Sequence, residues 1–401
     1  MTSHLPVATL YAAWFFLRSF LHRGWWLVTS LYLVSEASLS PLELVLLGTA
    51  QGITVILGEV PAGVLADACS RKWSLLLAHA LMGSSMVATG LVLEFPALVL
   101  TQMVWGLSWT FSSGADVAWM TDELADPDRT PAALVAGAKW GHLGSMLGIL
   151  LIGALAWSTS LSLAMVLAGA GMWGLGVAVL LMFPERNFRR APAGEVLAVA
   201  AGVLRSGLQQ LRVHRVLFYL LVSTFLVNGA DEAFGRLHTK QLLDLGAPSA
   251  ASPIVWFSLL AVLSLAVSVL ALAVTNRILE QKSDYAGAYS GAALLGAGGL
   301  VALACSASFE VGALAVLLVA GVSMSVLRTV SVVWANHHAN SEARATIQSF
   351  LSLAENLGEV SLGLSLAFLA HLAGIPAAML GSSIVLLGVA VLVLFRIRRL
   401  D

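Results

Sequence analysis

Gly58–Lys72 reads GEVPAGVLADACSRK, and it is the stretch from which the rest of the chain is best read. Long apolar runs flank it on both sides, while Asp67, Arg71 and Lys72 crowd together at its end. A short polar knot between two such runs marks a turn at a membrane face. The surrounding sequence repeats that alternation throughout. Of 401 residues, 59% are hydrophobic and 11% charged, against about 25% charged in soluble domains. The mean hydropathy is +0.89. Apolar runs of about 20 residues recur, each long enough to cross a hydrocarbon core of about 30 Å as a helix. The short alternating segments of a membrane β-barrel are absent. The chain therefore reads as an all-α polytopic membrane protein.

Twelve spans are expected, at 8–34, 42–66, 73–94, 97–121, 132–157, 161–183, 214–240, 253–279, 285–306, 310–335, 342–370 and 374–396. A polar connection containing PERNFRRAPAG and then VLRSGLQQLRVHR divides them. The expected organisation is an N-terminal six-helix bundle at 1–183, a linker at 184–213 and a C-terminal six-helix bundle at 214–401. Lys and Arg set the orientation. With both termini cytoplasmic, fifteen basic residues fall in inner segments and only Lys240 in an outer one; the other five lie within spans. The N-terminus lacks a positive n-region and a small-residue cleavage site, so it reads as a first span. Cys69 and Cys305, far apart in the sequence, exclude a disulfide scaffold and a Cys-based metal site. The localisation expected is the cell membrane, inner or plasma, as a multi-pass protein.

Six spans, a basic connection and six more are similar to the major facilitator superfamily. The pattern Gly63-xxx-Asp67-xxx-Arg71-Lys72 resembles that superfamily's loop between its second and third helices. LGTAQGITVILGEVPAGVLADACSRKWSL (47–75), TFSSGADVAWMTDEL (110–124), MFPERNF (182–188) and WANHHANSEARATIQSF (334–350) resemble the tetracycline- and multidrug-efflux-like members. The resemblance implies drug/proton antiport and a conformational latch at Gly63, Asp67, Arg71 and Lys72. In the latch, Asp67 faces the start of the eleventh helix, here Asn340-Ser341-Glu342. A glycine at 63 allows close helix approach, and Asp67 can accept hydrogen bonds from a helix N-terminus. The sequence departs from the family twice. Gln102 and Trp105 stand where an intramembrane arginine and a glutamine are found, and Gly141, Gly144, Gly148 and Gly153 occur without the usual proline.

Ionisable residues at bilayer depth are site candidates by default. In the family fold the first, fourth, seventh and tenth helices line the central cavity. Arg18 and Asp116 fall in the first and fourth spans at similar depth and can pair there, as a proton or substrate site or as a structural ion pair. In the seventh span Glu232 and Arg236 are spaced i,i+4 and can pair on one face, which leaves Asp231 as a surplus carboxylate and proton carrier. Arg328, Glu355 and Glu359 are expected to form a structural charge network. Lys139 and His142 are expected to meet Asp122 or Glu123 near the inner surface, in packing or gating. Trp105 and Trp109 are the cavity aromatics, suited to a lipophilic or cationic organic substrate. Trp119, near a helix end, reads as an interface residue.

No nucleophile–base constellation, metal-ligand spacing or phosphate loop of the GxxxxGK[ST] type occurs, so neither an enzyme nor an ATP-driven pump is expected. No cofactor and no nucleic-acid partner is implied. The expected partners are a small-molecule substrate, protons and the lipid bilayer, with a monomer as the working unit. The leading expectation is proton-coupled efflux of small organic compounds by alternating access. The alternatives are nutrient or metabolite uptake, facilitated diffusion, and a non-transporting membrane receptor.

Overall fold

The computed structural model describes residues 6–190, 214–338 and 344–397, together with positions 192, 194, 202 and 205. Every regular element among them is helical. Hydrocarbon offers no partner to a backbone N–H or C=O, and a helix satisfies both within one segment. The helices are α1 (Val7–Ser35), α2 (Pro41–Ala68), α3 (Arg71–Thr89), α4 (Phe95–Ser112), α5 (Ala115–Leu124), α6 (Thr130–Ser158) and α7 (Leu161–Met182). After the central connection come α8 (Arg215–Asp244), α9 (Pro253–Lys282), α10 (Tyr285–Ala304), α11 (Phe309–His338), α12 (Thr346–Ala373) and α13 (Ile375–Ile397).

Nine of them, among the described residues, are long and apolar enough to cross a membrane on that ground alone. The three crossings that fall short are α1, with Arg18, His22 and Arg23 in its middle, the 19-residue α3, and the fourth span. That fourth span is expected as one helix over 97–121 but is broken in two. Ser113 is extended and Gly114 takes φ 77°, a conformation that glycine alone adopts without strain. With α4 and α5 counted as one crossing, twelve crossings lie close to the expected segments. Three further departures are π-helical stretches at Leu317–Met324 in α11, Glu359–Gly363 in α12 and Val393–Ile397 in α13. The expected linker beyond Arg190 lies, apart from a few positions, outside the described residues, as does Asn340-Ser341-Glu342.

Local chemistry places many of the helix starts. Ser70, Ser160 and Ser308 accept hydrogen bonds from Trp73, Leu163 and Val311 amides; Asp284 accepts from Gly287. At α2 the Ser40 hydroxyl takes the Glu43 amide while the Glu43 carboxylate takes the Ser40 amide. This is the reciprocal box that satisfies donors at a helix start.

The chain forms two compact units, one of residues 1–38 and 53–199 and the other of 39–52 and 200–401, so α2 contributes to both. In the first unit α1 lies along α6 and α7, and α3 along α4 and α7. Helices in lipid gain from close backbone approach at small residues, and α6 supplies them. A Cβ on Gly148 would fall 2.7 Å from the Phe20 carbonyl carbon, and one on Gly144 3.0 Å from that of Phe16. Buried aromatic donors cross the same core, with Trp25 Nε1 on the Met86 carbonyl at 3.2 Å and the Tyr32 hydroxyl on that of Val92 at 2.9 Å. In the second unit α8 packs on α12 and α13, and α10 on α13 and the π-helical part of α11. Ser323 and Ser383 donate across helices to the Ala292 and Ala297 carbonyls at 2.8 and 2.9 Å. On α9, Val269, Leu270 and Val274 are all more than half exposed.

The α1–α6 contact is the tightest test of this packing. Gly148→Ala should destabilise the protein by about 1–3 kcal/mol through overpacking. Thermal unfolding in detergent should show a lower midpoint. The same change at Gly174, where a Cβ meets no described atom within 4 Å, should leave the midpoint unchanged or raise it.

Candidate functional site

The Gly58–Lys72 stretch ends α2, turns at Cys69–Ser70 and starts α3. The turn is held by a polar network inside the first unit. Arg71 pairs with Asp67 at 3.6 Å and with Asp122 of α5, and also donates to the Ala118 carbonyl at 2.8 Å. The segment after α7 closes the network. Glu185 accepts from the Ser70 hydroxyl at 2.6 Å and from the Lys72 amide at 2.9 Å, so its carboxylate sits on the start of α3. There the exposed amides and the helix dipole favour negative charge. Glu123, at the end of α5, accepts in return from the Arg186 and Asn187 amides at 2.7 and 2.8 Å.

Several expectations change here. Asp122 and Glu123 are taken by Arg71 and by the 186–187 backbone, so neither pairs with Lys139 or His142. Trp119 is no interface residue. It is 1% exposed, stacks on Phe183 at 3.9 Å between ring centres, and donates to the Pro184 carbonyl at 2.7 Å. Among the described residues no close approach is found at Gly63, where a Cβ would meet no described atom within 4 Å. The expected partner of Asp67, at 340–342, lies outside the described residues.

A cavity of about 320 Å³ opens in the same unit between α1, α4 and α6. Arg18 is fixed at its wall from every side. It donates to the Ser112 hydroxyl at 2.8 Å, lies 3.7 Å from the Asp116 carboxylate, and rests against the rings of Trp14 and Trp109 at 5.2 and 4.8 Å. The break at Gly114 makes this geometry, because it puts Asp116 in the first turn of α5, where a carboxylate is favoured. Trp14 is oriented in turn by donating to His79 Nε2 at 3.0 Å, while His79 Nδ1 faces the Leu75 carbonyl at 2.6 Å. The expected pairing of Arg18 with Asp116 is therefore present.

The aromatic pair is split by depth. Trp109 lines the cavity, whereas Trp105 is buried behind it, stacked at 5.7 Å with 13° between planes. His22 stacks on Trp105 at 5.3 Å, and its Nε2 is buried without a hydrogen-bond partner. His22, Arg23 and His142 join Arg18 on the cavity wall. Sequence reading passes over His22 and Arg23 and places His142 near the inner surface. The signal was the spacing of Arg18, His22 and Arg23 at i, i+4 and i+5, which puts all three toward one side of α1. Gln102, standing at the family's arginine position, is buried at 1% exposure beside Thr89.

In the second unit Glu232 and Arg236 pair as expected, at 2.9 Å, and Arg236 also donates to Gln51 of α2 at 3.1 Å. Gly48 and Gly363 leave room for this pair, since a Cβ at Gly363 would lie 3.1 Å from the Glu232 side chain. Asp231 is not the surplus carboxylate. Arg328 reaches across from α11 to pair with it, in place of a pairing with Glu355 or Glu359. Glu359, in the π-helical turn of α12, has no ion-pair partner among the described residues, although the charges of Glu232, Arg328, Asp231 and Arg236 all act on it. A π-helical turn is a common mark of a functional position. Among the described residues no cluster of His, Cys, Asp and Glu has the makings of a metal site.

No family model matches the sequence, and no curated protein matches it. Solved structures do match. A peptide transporter, POT, in complex with sulfate, superposes with a TM-score of 0.77 at 15% identity, over 100% of this chain and 96% of that one. The nucleoside transporter NupG gives 0.73 at 14% identity, over 98% and 99%. A bacterial homologue of the human lysosomal transporter Spinster, inward-facing and unoccupied, gives 0.70 at 15%, over 97% and 94%. These are transporters of the major facilitator type, and at such identities what is shared is the fold. This chain is a multi-pass membrane protein with the major facilitator fold, and its structural neighbours are transporters rather than enzymes.

The network around Glu185 yields a direct expectation. Hydrogen bonds to a charged group are worth about 1.5–3 kcal/mol each, so Glu185→Ala should lower the thermal midpoint in detergent by several degrees. Glu123→Ala, which frees the other end of the same segment, should cost less when added to Glu185→Ala than it does alone.

Proposed function

We propose that the protein is a secondary active transporter of small organic solutes, coupled to protons and working by alternating access as an exporter in the cell membrane. The observation that carries the coupling is the charge balance in the second unit. Arg236 and Arg328 each hold one carboxylate, Glu232 and Asp231, which leaves Glu355 and Glu359 over; Glu359 is the one that lies in the π-helical turn and in the field of both pairs. A carboxylate within a span, beside other carboxylates and without its own cation, is most cheaply held as the neutral acid. Its proton is then released when the site opens to water of higher pH. Glu359 is the proton carrier of this reading, and the Asp231–Arg328 and Glu232–Arg236 pairs hold its surroundings. Export is supported by the motifs at 47–75, 110–124 and 182–188 that resemble efflux members. Import runs through the same machine in reverse and is the alternative. Both termini on the cytoplasmic side follow from the Lys/Arg distribution.

In proteoliposomes with an imposed pH gradient, a substrate found by screening organic solutes should accumulate against its own gradient, and collapsing the proton gradient should abolish that accumulation. Glu359→Gln should reduce gradient-driven accumulation at least about tenfold while leaving downhill exchange of solute measurable. Proton-driven accumulation by Glu359→Gln at the parent rate would remove Glu359 from the mechanism. Asp116→Asn distinguishes the two charge sites: if coupling resides with Glu359, this variant should change affinity for the solute more than dependence on the proton gradient. Accumulation in intact cells rather than depletion would assign import.

A further inference from the structure

Between the cavity and the α2–α3 turn lies α5, a short helix set between two positive-φ backbone points, Gly114 at 77° and Ala125 at 48°. The second is costly for a residue with a Cβ and persists only where the surroundings fix it. The ladder of α4 ends with the Ser113 amide on the Trp109 carbonyl, and that of α5 begins with the Ala118 amide on the Gly114 carbonyl. The two ladders are separate. Different parts of the first unit hold the two ends of α5. At the cavity end Asp116 faces Arg18 at 3.7 Å, longer than the roughly 2.7–2.9 Å of a charge-assisted hydrogen bond. Its other carboxylate oxygen takes the Val117 amide at 2.8 Å. At the turn end Arg71 grips α5 at two points a helical turn apart, the Ala118 carbonyl and the Asp122 carboxylate. The pair of Arg71 with Asp67 is also long, at 3.6 Å. Its Nε is buried with no hydrogen-bond partner among the described residues, a state that buried donors rarely keep. Two open ion pairs and an unused donor thus sit at the ends of one short helix, where a small displacement would close some contacts and stretch others.

We infer that α5 is a lever hinged at Gly114, which ties the Arg18–Asp116 contact beside the cavity to the clasp of Arg71 on the α2–α3 turn. A helix of this size is about 15 Å long and passes a shift at one end to the other. Whatever draws Asp116 onto Arg18, or releases it, moves Asp122, and with it Arg71 and the start of α3. Trp119 and Glu123 carry the same motion to the segment after α7, through the Phe183 ring, the Pro184 carbonyl and the Arg186 and Asn187 amides. Coupling of this kind is a free energy shared by two sites, so it acts in both directions. Its use in alternating access rests on the transporter reading; the mechanical link does not, and it can be tested without transport.

Cys69, exposed in the turn, is a native reporter, because Cys305→Ser leaves it as the one thiol of the chain. Its rate of labelling by fluorescein maleimide is measured on the purified full-length protein in detergent. Asp116→Asn frees the cavity end of α5 and should speed labelling about fivefold or more, the lower edge of ordinary coupling energies. Asp116→Glu keeps the anchor and should keep the parent rate. Ser112→Ala removes the other polar partner of Arg18 but lies before the hinge, on α4, and should also leave the rate unchanged. In an Asp122→Asn background the link is cut, so adding Asp116→Asn should change the rate no further; such a cycle separates coupling from the effects of each change alone. Every variant is required to keep the parent thermal midpoint. The reciprocal measurement needs no change at Asp116: with Cys69→Ser, Cys305→Ser and a Ser113→Cys reporter at the hinge, Asp122→Asn should speed labelling there. Equal effects of Asp116→Asn with and without Asp122, the same response to Ser112→Ala, or parent rates at both reporters would each overturn the lever. Coupled ends in a protein that moves no solute would overturn the transporter reading and leave the lever standing. Transport with uncoupled ends would do the reverse.

Discussion

A guanidinium cannot be left bare within a membrane span, and that constraint shapes the whole of the first unit. Insertion of an arginine at the centre of a span costs about 2.5–3.5 kcal/mol on biological scales. The protein offsets this with a hydroxyl, a carboxylate and two ring faces around Arg18. Each of these partners makes its own demand. The carboxylate requires a broken fourth span, so that Asp116 gains a helix start. The ring of Trp14 requires His79 as its acceptor. Trp109 requires Trp105 as backing, and Trp105 in turn stacks on His22. The glycines of α6 then bring that helix close enough to enclose the remaining space.

The two units solve the problem of buried charge in opposite senses. In the first, cations exceed anions around an open cavity; in the second, carboxylates exceed guanidiniums around tightly paired side chains. On the proposed function, the surplus carboxylates of the second are where a proton would be carried. Imperfect compensation at a few positions is thus as much a property of the fold as complete compensation of the backbone. That division of roles needs no exchange of residues between the units.

How much of this is legible from sequence depends on range. Span positions follow from hydropathy and helix length, so the crossings emerge close to where the apolar runs predict them. Pairs at i,i+4, such as Glu232–Arg236, are set by helix geometry alone. The Arg18–Asp116 contact is visible because a membrane leaves so few partners to choose from. Tertiary competition is what sequence hides. Arg328 goes to Asp231 rather than to Glu359, Asp122 goes to Arg71 rather than to Lys139, and Trp119 is drawn inward by the Pro184 carbonyl. Irregular backbone is hidden too: SSG at 112–114 is a break signal that the surrounding apolar run masks, and none of the three π-helical stretches has a local signature.

The clamp that Glu185 places on the start of α3 bears on how this chain can be divided. Hydropathy ends the sixth crossing at about Phe183, and a half-molecule cut there would seem to contain every membrane segment of the N-terminal part. Such a fragment would lack the carboxylate that satisfies Ser70 and Lys72, the backbone amides that satisfy Glu123, and the carbonyl that holds Trp119. The third and fifth helices would each lose a terminus. An N-terminal half that keeps these contacts must run at least through Asn187. In covalent terms the linker begins there, several residues later than the membrane does.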